Sequence, residues 1–391
     1  MFTRRHAVLG LLAAAAGGHV RANLPARLEL LPTGDVGVML AARVTFGAEA
    51  ALFVLDTGAT THLIDPQLGT RLALATESSA MVALPGGRTR VRQVTLPALR
   101  FGTDAALQFA PQRALEIDLA ALREASGEDI RGLLGMPLWS QRPTTFDLAR
   151  QELRFDEPAP AAGPDTFELP LRVDGGLPTI GASLGAGAGG RFLFDTGNAG
   201  AVVLFAHFAQ TLARDLSLPE VTVQELGGAV TARYARSRRT TIGGFSRTDV
   251  PLALELGAAA RRGGHFDRLA GSLGNALFDG GSVWLDVRGG RLVVQHPAAG
   301  SPIPGGFGLV PLAQAGGLVI GSVFDGGPAA LAGLRPGDRI VSTDNVAAPD
   351  SAARFWRALR GRNEAALVLD RSGSPVRATL QRASFFPGLP P

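Results

Sequence analysis

The chain of 391 residues contains no cysteine and no lysine, and its single tyrosine is Tyr234. Without cysteine it has no thiol nucleophile, no thiolate zinc site and no disulfide bond. Without lysine it forms no Schiff base and no lysine-containing phosphate loop. These absences leave carboxylates, hydroxyls and histidines as the candidate catalytic groups.

All 38 basic residues are therefore arginines, and they are scattered among 34 acidic residues. Nucleic-acid binding requires a basic stripe with aromatic platforms. The sequence shows no such stripe, so we expect no nucleic-acid partner. The histidines beyond the N-terminus lack metal-ligand spacing such as H-E-x-x-H, which predicts surface or partly packed histidines, no metal and no other cofactor. These histidines are His62, His207, His265 and His296.

Residues 1–22 have the layout of a cleaved signal peptide. Arg4 and Arg5 precede an apolar stretch at 7–18, and Ala22 ends a small-residue cleavage site. That stretch is too short to span a bilayer of about 30 Å as a helix. We expect a periplasmic or secreted protein without an integral membrane segment in the mature chain. The arginine pair favours the twin-arginine route, with an ordinary Sec signal as the alternative.

An internal repeat organises the middle of the chain. Asp-Thr-Gly at 56–58 recurs at 195–197, an offset of 139 residues. Three further markers recur at the same offset, which two chance triplets would not explain. They are Gly132–Gly135 with Gly271–Gly274, Asp147 with Asp286, and Leu153 with Leu292.

Abundant glycine (51 residues) and proline (26 residues) with many short alternating runs predict an all-β fold. In each copy, strands at 36–46 and 177–184 precede an apolar strand that runs into Asp-Thr-Gly. Those apolar strands are predicted at 51–55 and 191–194. Short helices are predicted over 114–125 and 204–215, and Asp147 and Asp286 are predicted to initiate closing turns.

Each repeat places one carboxylate, Asp56 or Asp195, on a tight turn at the end of an apolar strand. Glycine allows close backbone approach there, and threonine supplies a hydroxyl that can bond to the partner turn. If a pseudo-twofold axis relates the turns, the carboxylates face each other at about 3 Å and share a proton. One member then acts as a base on water and the other as an acid on a carbonyl oxygen.

The sequence between about residues 35 and 297 resembles the pepsin and retropepsin family of aspartic peptidases. The resemblance rests on DTGA at 56–59, DTGN at 195–198, the two G-x-L-G segments and the closing aspartate turns. It implies a two-lobed β-barrel fold, with Asp56 and Asp195 as the catalytic pair and no metal. It also implies that the active-site turns comprise Thr57, Gly58, Thr196 and Gly197. Glycine hairpins would form flaps over the cleft at Pro85, Gly86, Gly87, Gly227 and Gly228.

Two positions depart from the family pattern. Asn198 stands where the family usually has Ala, Ser or Thr, and Ala199 replaces a common Ser or Thr. We therefore expect the second turn to be braced differently and Asp195 to be the weaker partner. Asn198 also favours the alternative hypothesis, an inactive exported protein that binds peptides in the cleft and in the C-terminal domain.

Ser183 lies in G-A-S-L-G at 181–185, which matches the G-x-S-x-G elbow of serine hydrolases. That elbow needs a strand before the serine and a helix after it. Here Ser183 corresponds to Val44 in the repeat, within a predicted strand, and more glycines follow. We therefore do not expect a serine hydrolase.

The C-terminal segment resembles a PDZ domain between about residues 305 and 385. The resemblance rests on G-P-A-x-x-A-G-L-x-P-G-D-x-I at 327–340. It implies that Gly306, Phe307, Gly308 and Leu309 form a carboxylate-binding loop, that the next strand accepts a C-terminal peptide, and that a helix near 350–360 walls the groove. A docking domain that binds no peptide is the alternative.

The sequence thus predicts four parts: a signal peptide (1–22), two aspartic peptidase lobes (23–160 and 161–300) and a PDZ-like domain (305–391). The predicted function is hydrolysis of peptide bonds by a water activated between Asp56 and Asp195. The predicted partners are a peptide or protein substrate and a C-terminal peptide at the PDZ-like groove.

Overall fold

The computed structural model describes residues 24–84, 87–102, 107–185, 188–212, 218, 220–225, 228–255 and 264–389. The predicted signal peptide lies outside the described residues. Strands account for 49% of the structure and helices for 13%, so the all-β prediction is confirmed. No helix in the described part of the chain is long and apolar enough to cross a membrane.

The first lobe is a ten-stranded sheet, with strands numbered in chain order through the whole molecule. Neighbours run β6-β7-β10-β5-β11-β4-β3-β8-β9, and β2 pairs with β3. The strands are β2 (Glu29–Pro32), β3 (Val38–Phe46), β4 (Glu49–Leu55), β5 (His62–Ile64), β6 (Ser78–Leu84), β7 (Gly87–Leu96), β8 (Leu99–Phe101), β9 (Gln108–Phe109), β10 (Gln112–Glu116) and β11 (Ile130–Leu134).

The second lobe is an eight-stranded sheet in which neighbours run β15-β16-β17-β22-β18-β21-β20-β19. Its strands are β15 (Arg172–Asp174), β16 (Leu177–Ser183), β17 (Gly189–Phe194), β18 (Val202–Leu204), β19 (Glu220–Glu225), β20 (Gly228–Ile242), β21 (Phe245–Glu255) and β22 (Gly271–Leu273).

A six-stranded sheet joins the two lobes, with neighbours β1-β13-β12-β23-β24-β14. At its centre β12 and β23 are antiparallel, with Phe146 opposite Val283. Because one strand comes from each repeat, the sheet fixes the lobes as a pair. Its strands are β1 (Ala26–Arg27), β12 (Thr144–Asp147), β13 (Glu152–Phe155), β14 (Thr166–Pro170), β23 (Ser282–Asp286) and β24 (Arg291–Gln295).

The repeated aspartates at the ends of β12 and β23 close turns, as the sequence predicted. Asp147 accepts a hydrogen bond from the Arg150 N–H at 2.8 Å, and its carboxylate pairs with Arg154. Asp286 accepts a hydrogen bond from the Gly289 N–H at 2.9 Å. Both aspartates have a structural role, because each carboxylate accepts a backbone N–H of its own hairpin turn.

The C-terminal unit is a six-stranded sheet ordered β25-β26-β27-β29-β30, with β28 beside β27. The strand β25 lies at the edge, so one side of it has no neighbour within the sheet. The strands are β25 (Leu309–Gln314), β26 (Gly317–Val323), β27 (Arg339–Thr343), β28 (Val346–Ala347), β29 (Glu364–Arg371) and β30 (Ser374–Gln381).

Six short α-helices complete the described chain. The prediction of a helix over 114–125 is wrong at its start, because 114–116 belong to β10 and the helix begins at Ala120. The helix predicted over 204–215 is present at 206–212, and 213–217 lie outside the described residues. The helices are α1 (Pro66–Arg71), α2 (Ala120–Ser126), α3 (Met136–Trp139), α4 (Ala206–Leu212), α5 (Pro328–Leu331) and α6 (Ala352–Leu359).

Two large apolar cores are separate from each other. One runs through both lobes and the joining sheet, and it includes the buried rings of Phe53, Phe146 and Phe194. The other lies within the C-terminal unit around Phe307 and Phe355. A core of its own is what an autonomous domain requires.

Candidate active site

Each of the two repeated aspartates lies directly after a strand that is paired in parallel. β4 runs beside β11, and the Asp56 N–H donates to the Leu134 carbonyl at 2.9 Å. β17 runs beside β22, and the Asp195 N–H donates to the Leu273 carbonyl at 3.0 Å. The two G-x-L-G strands thus fix both aspartates in the same way.

The threonines lock the two turns together. The Thr57 N–H donates to Thr196 Oγ1 at 2.9 Å, and the Thr196 N–H donates to Thr57 Oγ1 at 3.0 Å. Each hydroxyl also donates across the interface, to the Phe194 carbonyl at 2.7 Å and to the Leu55 carbonyl at 2.8 Å. All four bonds cross between the lobes in a buried environment, so the relative position of the turns is strongly fixed.

The glycines let each carboxyl group approach the opposite turn. A Cβ atom at Gly58 would lie 2.4 Å from Asp195 Oδ1, and one at Gly197 would lie 2.5 Å from Asp56 Cγ. Neither position therefore has room for a larger residue. The close approach shows that Asp56 and Asp195 face each other across the lobe interface.

The two carboxyl groups share one electrostatic environment. Burial raises the pKa of Asp56 well above its usual range, and the charge of Asp195 and a hydrogen bond to it raise this pKa further. The Gly58 N–H, 2.7 Å from Asp56 Oδ1, acts in the opposite direction. The pair therefore retains one shared proton over a wider pH range than two separate carboxyl groups would.

Residues 42–138 match the family model described as aspartyl protease, and residues 319–370 match the model of the PDZ domain. The chain carries an aspartyl protease domain and a PDZ domain. No curated protein matches the chain. The aspartyl protease match covers the first lobe, so the second lobe is related to it through the repeat and the shared geometry.

His62 is a structural residue of the protease domain that the sequence analysis did not identify. Like His296, it is buried, so the prediction of a surface or partly packed histidine is wrong for both residues. His62 Nδ1 accepts the Gly135 N–H at 2.9 Å, and its Nε2 lies 2.7 Å from Gln112 Oε1. The proton is therefore on Nε2, and burial lowers the pKa of His62. In the second lobe, the Ala201 carbonyl accepts the matching Gly274 N–H.

Asn198 contributes additional bonds to the second turn without replacing the threonine bonds. Its Nδ2 donates to Ser272 Oγ at 3.0 Å, and its Oδ1 accepts the Gly200 N–H at 2.9 Å. The second turn is therefore braced differently, as expected, because Asn198 adds these bonds, while the threonine bonds of the two turns are symmetric. Asn198 ties its turn to β22, which contains Ser272.

Asn275 was also missed by sequence reasoning, and it links the second turn to the first lobe. Its Nδ2 donates to the Val38 carbonyl at 2.9 Å and to the Thr196 carbonyl at 2.8 Å. The Val38 N–H in turn donates to the Ala199 carbonyl at 2.8 Å. The Val38 N–H thus bonds the segment of the second active-site turn directly, and the Val38 carbonyl is joined to that turn through Asn275.

The flap candidates lie only partly within the described residues. Pro85, Gly86 and Gly227 are outside them. Gly87 begins β7 and Gly228 begins β20, and β6 with β7 and β19 with β20 are antiparallel pairs. An antiparallel strand pair thus flanks each predicted flap, whose turn residues at 85–86 and 226–227 lie outside the described residues.

The only tyrosine lies on β20 and contacts the C-terminal tail. The ring of Tyr234 stacks on Phe386 with centroids 5.2 Å apart. The neighbouring Arg236 N–H donates to the Pro387 carbonyl at 2.8 Å, and its carbonyl accepts the Leu389 N–H at 2.8 Å. The tail of the chain is thus held on the second lobe.

The predicted carboxylate-binding loop of the PDZ domain contacts a carboxylate of the first lobe. The Phe307 N–H donates to Asp35 Oδ1 and the Gly308 N–H to Asp35 Oδ2, both at 2.9 Å. Gly306 forms a backbone pair with Ala383, and Leu309 begins β25.

The described residues show neither a serine-hydrolase elbow nor a cluster of metal ligands. Ser183 ends β16, and the next element there is the strand β17 rather than a helix, so the serine-hydrolase elbow is absent. Across the same described ranges, no group of three or more histidines or acidic residues is placed to hold a metal ion.

Proposed function

We propose that this protein is an aspartic endopeptidase that hydrolyses peptide bonds with a water held between Asp56 and Asp195. The observation that carries the proposal is the opposed carboxyl pair, fixed by four threonine bonds between the lobes. A rigid pair of carboxyl groups that shares a proton supplies an acid and a base at one site.

The proposed reaction begins with the shared proton of the pair on Asp56, and the raised pKa belongs to the pair rather than to either residue alone. Asp195, as the carboxylate, removes a proton from the water while the water oxygen attacks the scissile carbonyl carbon. Asp56 donates its proton to the carbonyl oxygen, which gives a tetrahedral diol. Asp195 then gives the water's proton to the amide nitrogen while Asp56 takes a proton back from one diol hydroxyl. The C–N bond breaks, an amine and a carboxylic acid are released, and the pair regains its single shared proton.

The substrate in this proposal is an extended peptide that lies over the two turns and beneath the hairpins β6–β7 and β19–β20. Extended peptides are recognised through backbone hydrogen bonds to strand edges. We assign the catalytic lobes to 23–160 and 161–300 and the PDZ domain to 305–391.

The proposal is tested with a diverse peptide library and purified chain 23–391. We expect cleavage at defined bonds, and we expect Asp56→Asn and Asp195→Asn to leave the library intact. Asp118→Asn is the matched control, because it removes the same charge from a side chain that is 73% exposed. If the unaltered protein bound library peptides and cleaved none at any pH from about 4 to 8, the peptide-binding alternative would replace the peptidase.

We also propose export to the periplasm or beyond by the N-terminal segment. If the twin-arginine route is used, Arg4→Lys with Arg5→Lys blocks export, since that route recognises the arginine pair. We expect the variant to remain uncleaved in the cytoplasm, with its first 22 residues detected by mass spectrometry. Normal processing of the double variant would assign export to the Sec route.

The shared proton has a consequence for stability. A carboxyl pKa that is raised in the native state stabilises the fold below the unfolded pKa, and this contribution is lost as pH rises through the native pKa. The Asp56 carboxyl therefore destabilises the fold at neutral pH, because burial and Asp195 oppose its ionisation. We expect Asp56→Asn to raise the Tm at pH 7–8 and to raise it much less at pH 4.

This stability prediction is checked by thermal unfolding at several pH values, with Asp118→Asn beside it. The Asp118 variant should show no comparable rise in Tm at pH 7–8, because its side chain is 73% exposed and lies outside the carboxyl pair. A Tm difference for Asp56→Asn that shrank as pH rose would contradict the raised pKa.

A further inference from the structure

Asp35 lies in the short turn between β2 and β3, and its side chain points from the protease domain toward the PDZ loop at Phe307 and Gly308. The turn is closed by the Thr33 N–H, which donates to the Gly37 carbonyl at 3.1 Å. Both carboxylate oxygens of Asp35 are used, one by the Phe307 N–H and one by the Gly308 N–H. A Cβ atom at Gly306 would lie 2.3 Å from Asp35 Oδ2, so the carboxylate is seated directly on the loop.

The same two N–H groups are placed to hold the end of a bound peptide. β25 is an edge strand, and an added peptide strand beside it would end at the loop that precedes it. Successive backbone N–H groups at such a point capture a terminal carboxylate. Because Asp35 already occupies these donors, a peptide terminus and Asp35 cannot bind the loop together.

We propose that Asp35 is an internal ligand of the PDZ domain, which holds the carboxylate-binding loop closed until the free C-terminal carboxylate of a peptide displaces it. The ligand class is a peptide with an unblocked C-terminus that adds to β25. The protein is therefore self-liganded in its resting state.

Arg382 supports this internal contact from the PDZ side. Its Nη1 donates to the Asp35 carbonyl at 2.8 Å and to the Gly305 carbonyl at 2.9 Å. Its guanidinium group also lies over the Phe307 ring, 4.6 Å from the centroid. Arg382 thus links the backbone of the turn that carries Asp35 to Gly305, just before the carboxylate-binding loop, and to the aromatic ring of Phe307 within it.

Apart from the backbone bonds of Arg236 to Pro387 and Leu389, the other polar contacts between the PDZ domain and the lobes include two ion pairs. Arg357 pairs with Glu128 at 2.5 Å and Arg360 with Asp279 at 2.8 Å, and all four side chains are partly exposed. Exposed pairs of this kind contribute little to stability. Burial also raises the pKa of Asp35 in spite of its two donors, so the seated carboxylate carries a desolvation cost. A bound peptide can therefore displace the Asp35 carboxylate from the loop.

The internal ligand is also connected to the active site, and this part of the inference rests on the proposed function. Val38 follows Asp35 by three residues, and its N–H donates to the Ala199 carbonyl. Its carbonyl accepts the Asn275 side chain, which bonds Thr196 as well. Release of Asp35 therefore frees a turn whose far end is bonded to the second catalytic turn.

An internal ligand reduces the apparent affinity of the free peptide. Because Asp35 is held close to the loop, its effective concentration is high. The apparent Kd of a peptide equals its intrinsic Kd divided by the fraction of protein molecules in which the loop is open. Removing the Asp35 carboxylate should therefore lower the Kd about tenfold or more.

The test measures binding of fluorescent decapeptides that end in Ala, Val, Leu or Phe, each as the free acid and as the C-terminal amide. The protein is chain 23–391 with Asp195→Asn, so that cleavage plays no part in the result. We expect Asp35→Asn to bind at least one free-acid peptide about tenfold more tightly than its parent, with no gain for the amides. The control, Asp118→Asn, should bind as the parent does.

Hydrogen exchange provides a second readout without altering Asp35. In the parent protein, a saturating free-acid peptide should increase amide exchange at 33–38, and the amide peptide should not. Equal affinity of the parent and Asp35→Asn, equal gains for acids and amides, or no binding by either protein would overturn the proposal. Tighter binding by Asp35→Asn, together with no cleavage of the peptide library by the protein that retains Asp195, would leave this inference standing and reject the peptidase.

Discussion

Replacement of Asp56 by asparagine is expected to lower kcat/KM for peptide cleavage at least about 10³-fold, which lies within the usual range for loss of an acid or base. The amide keeps the shape of the side chain and its contact with the Gly58 N–H. However, the amide cannot share a proton with the Asp195 carboxyl group. The measurement is the initial rate of hydrolysis of a peptide taken from the library.

The control for this substitution is again Asp118→Asn, which should retain the rate of the unaltered protein. KM should change little compared with kcat, because the carboxyl pair acts on the scissile bond and the rest of the cleft binds the peptide. Undiminished kcat in the Asp56 variant would show that cleavage occurs without this group.

The second large effect is expected for Thr57→Val, which keeps the side-chain volume and removes the hydroxyl. The Thr196 N–H then loses its acceptor and the Phe194 carbonyl loses its donor. Each buried unpaired group costs about 1–3 kcal/mol, so we expect the free energy of unfolding to fall by about 2–6 kcal/mol. Activity should fall with it, because the turn that carries Asp56 is no longer locked to its partner.

Urea unfolding measures this loss, and Thr57→Ser is the matched control because it retains the hydroxyl. The serine variant should keep most of the stability and activity. A valine variant as stable as the unaltered protein would show that the crossed bonds contribute little to the assembly of the lobes.

The main features of the fold were predictable because the repeat preserves them at a fixed offset. The strands before Asp56 and Asp195 alternate or run apolar, and the structure places them where the sequence predicted. The helix predicted over 114–125 failed at its start because short apolar runs suit both helices and strands. Ala114 pairs with β5 on one side and with β7 on the other, and this pairing on both sides makes the segment a strand.

The supporting residues of the site could not be predicted, because each acts on a distant backbone group. His62 bonds Gly135, Asn275 bonds Val38, and Asp35 bonds the loop at Phe307. A single side chain that satisfies one remote N–H or carbonyl group leaves no local pattern. Only His62 has a signal in the repeat, because the matching position in the second lobe is Ala201, and this difference singles out the histidine.

The central claim is that Asp56 and Asp195 act as one unit, and a double-mutant cycle tests it most directly. The measurement is kcat/KM for Asp56→Asn, Asp195→Asn and the double variant on one peptide at one pH. Residues that act together are strongly non-additive, so each single variant should lose nearly as much activity as the double variant. Losses that add, or a single variant that cleaves at the unaltered rate, would contradict the claim.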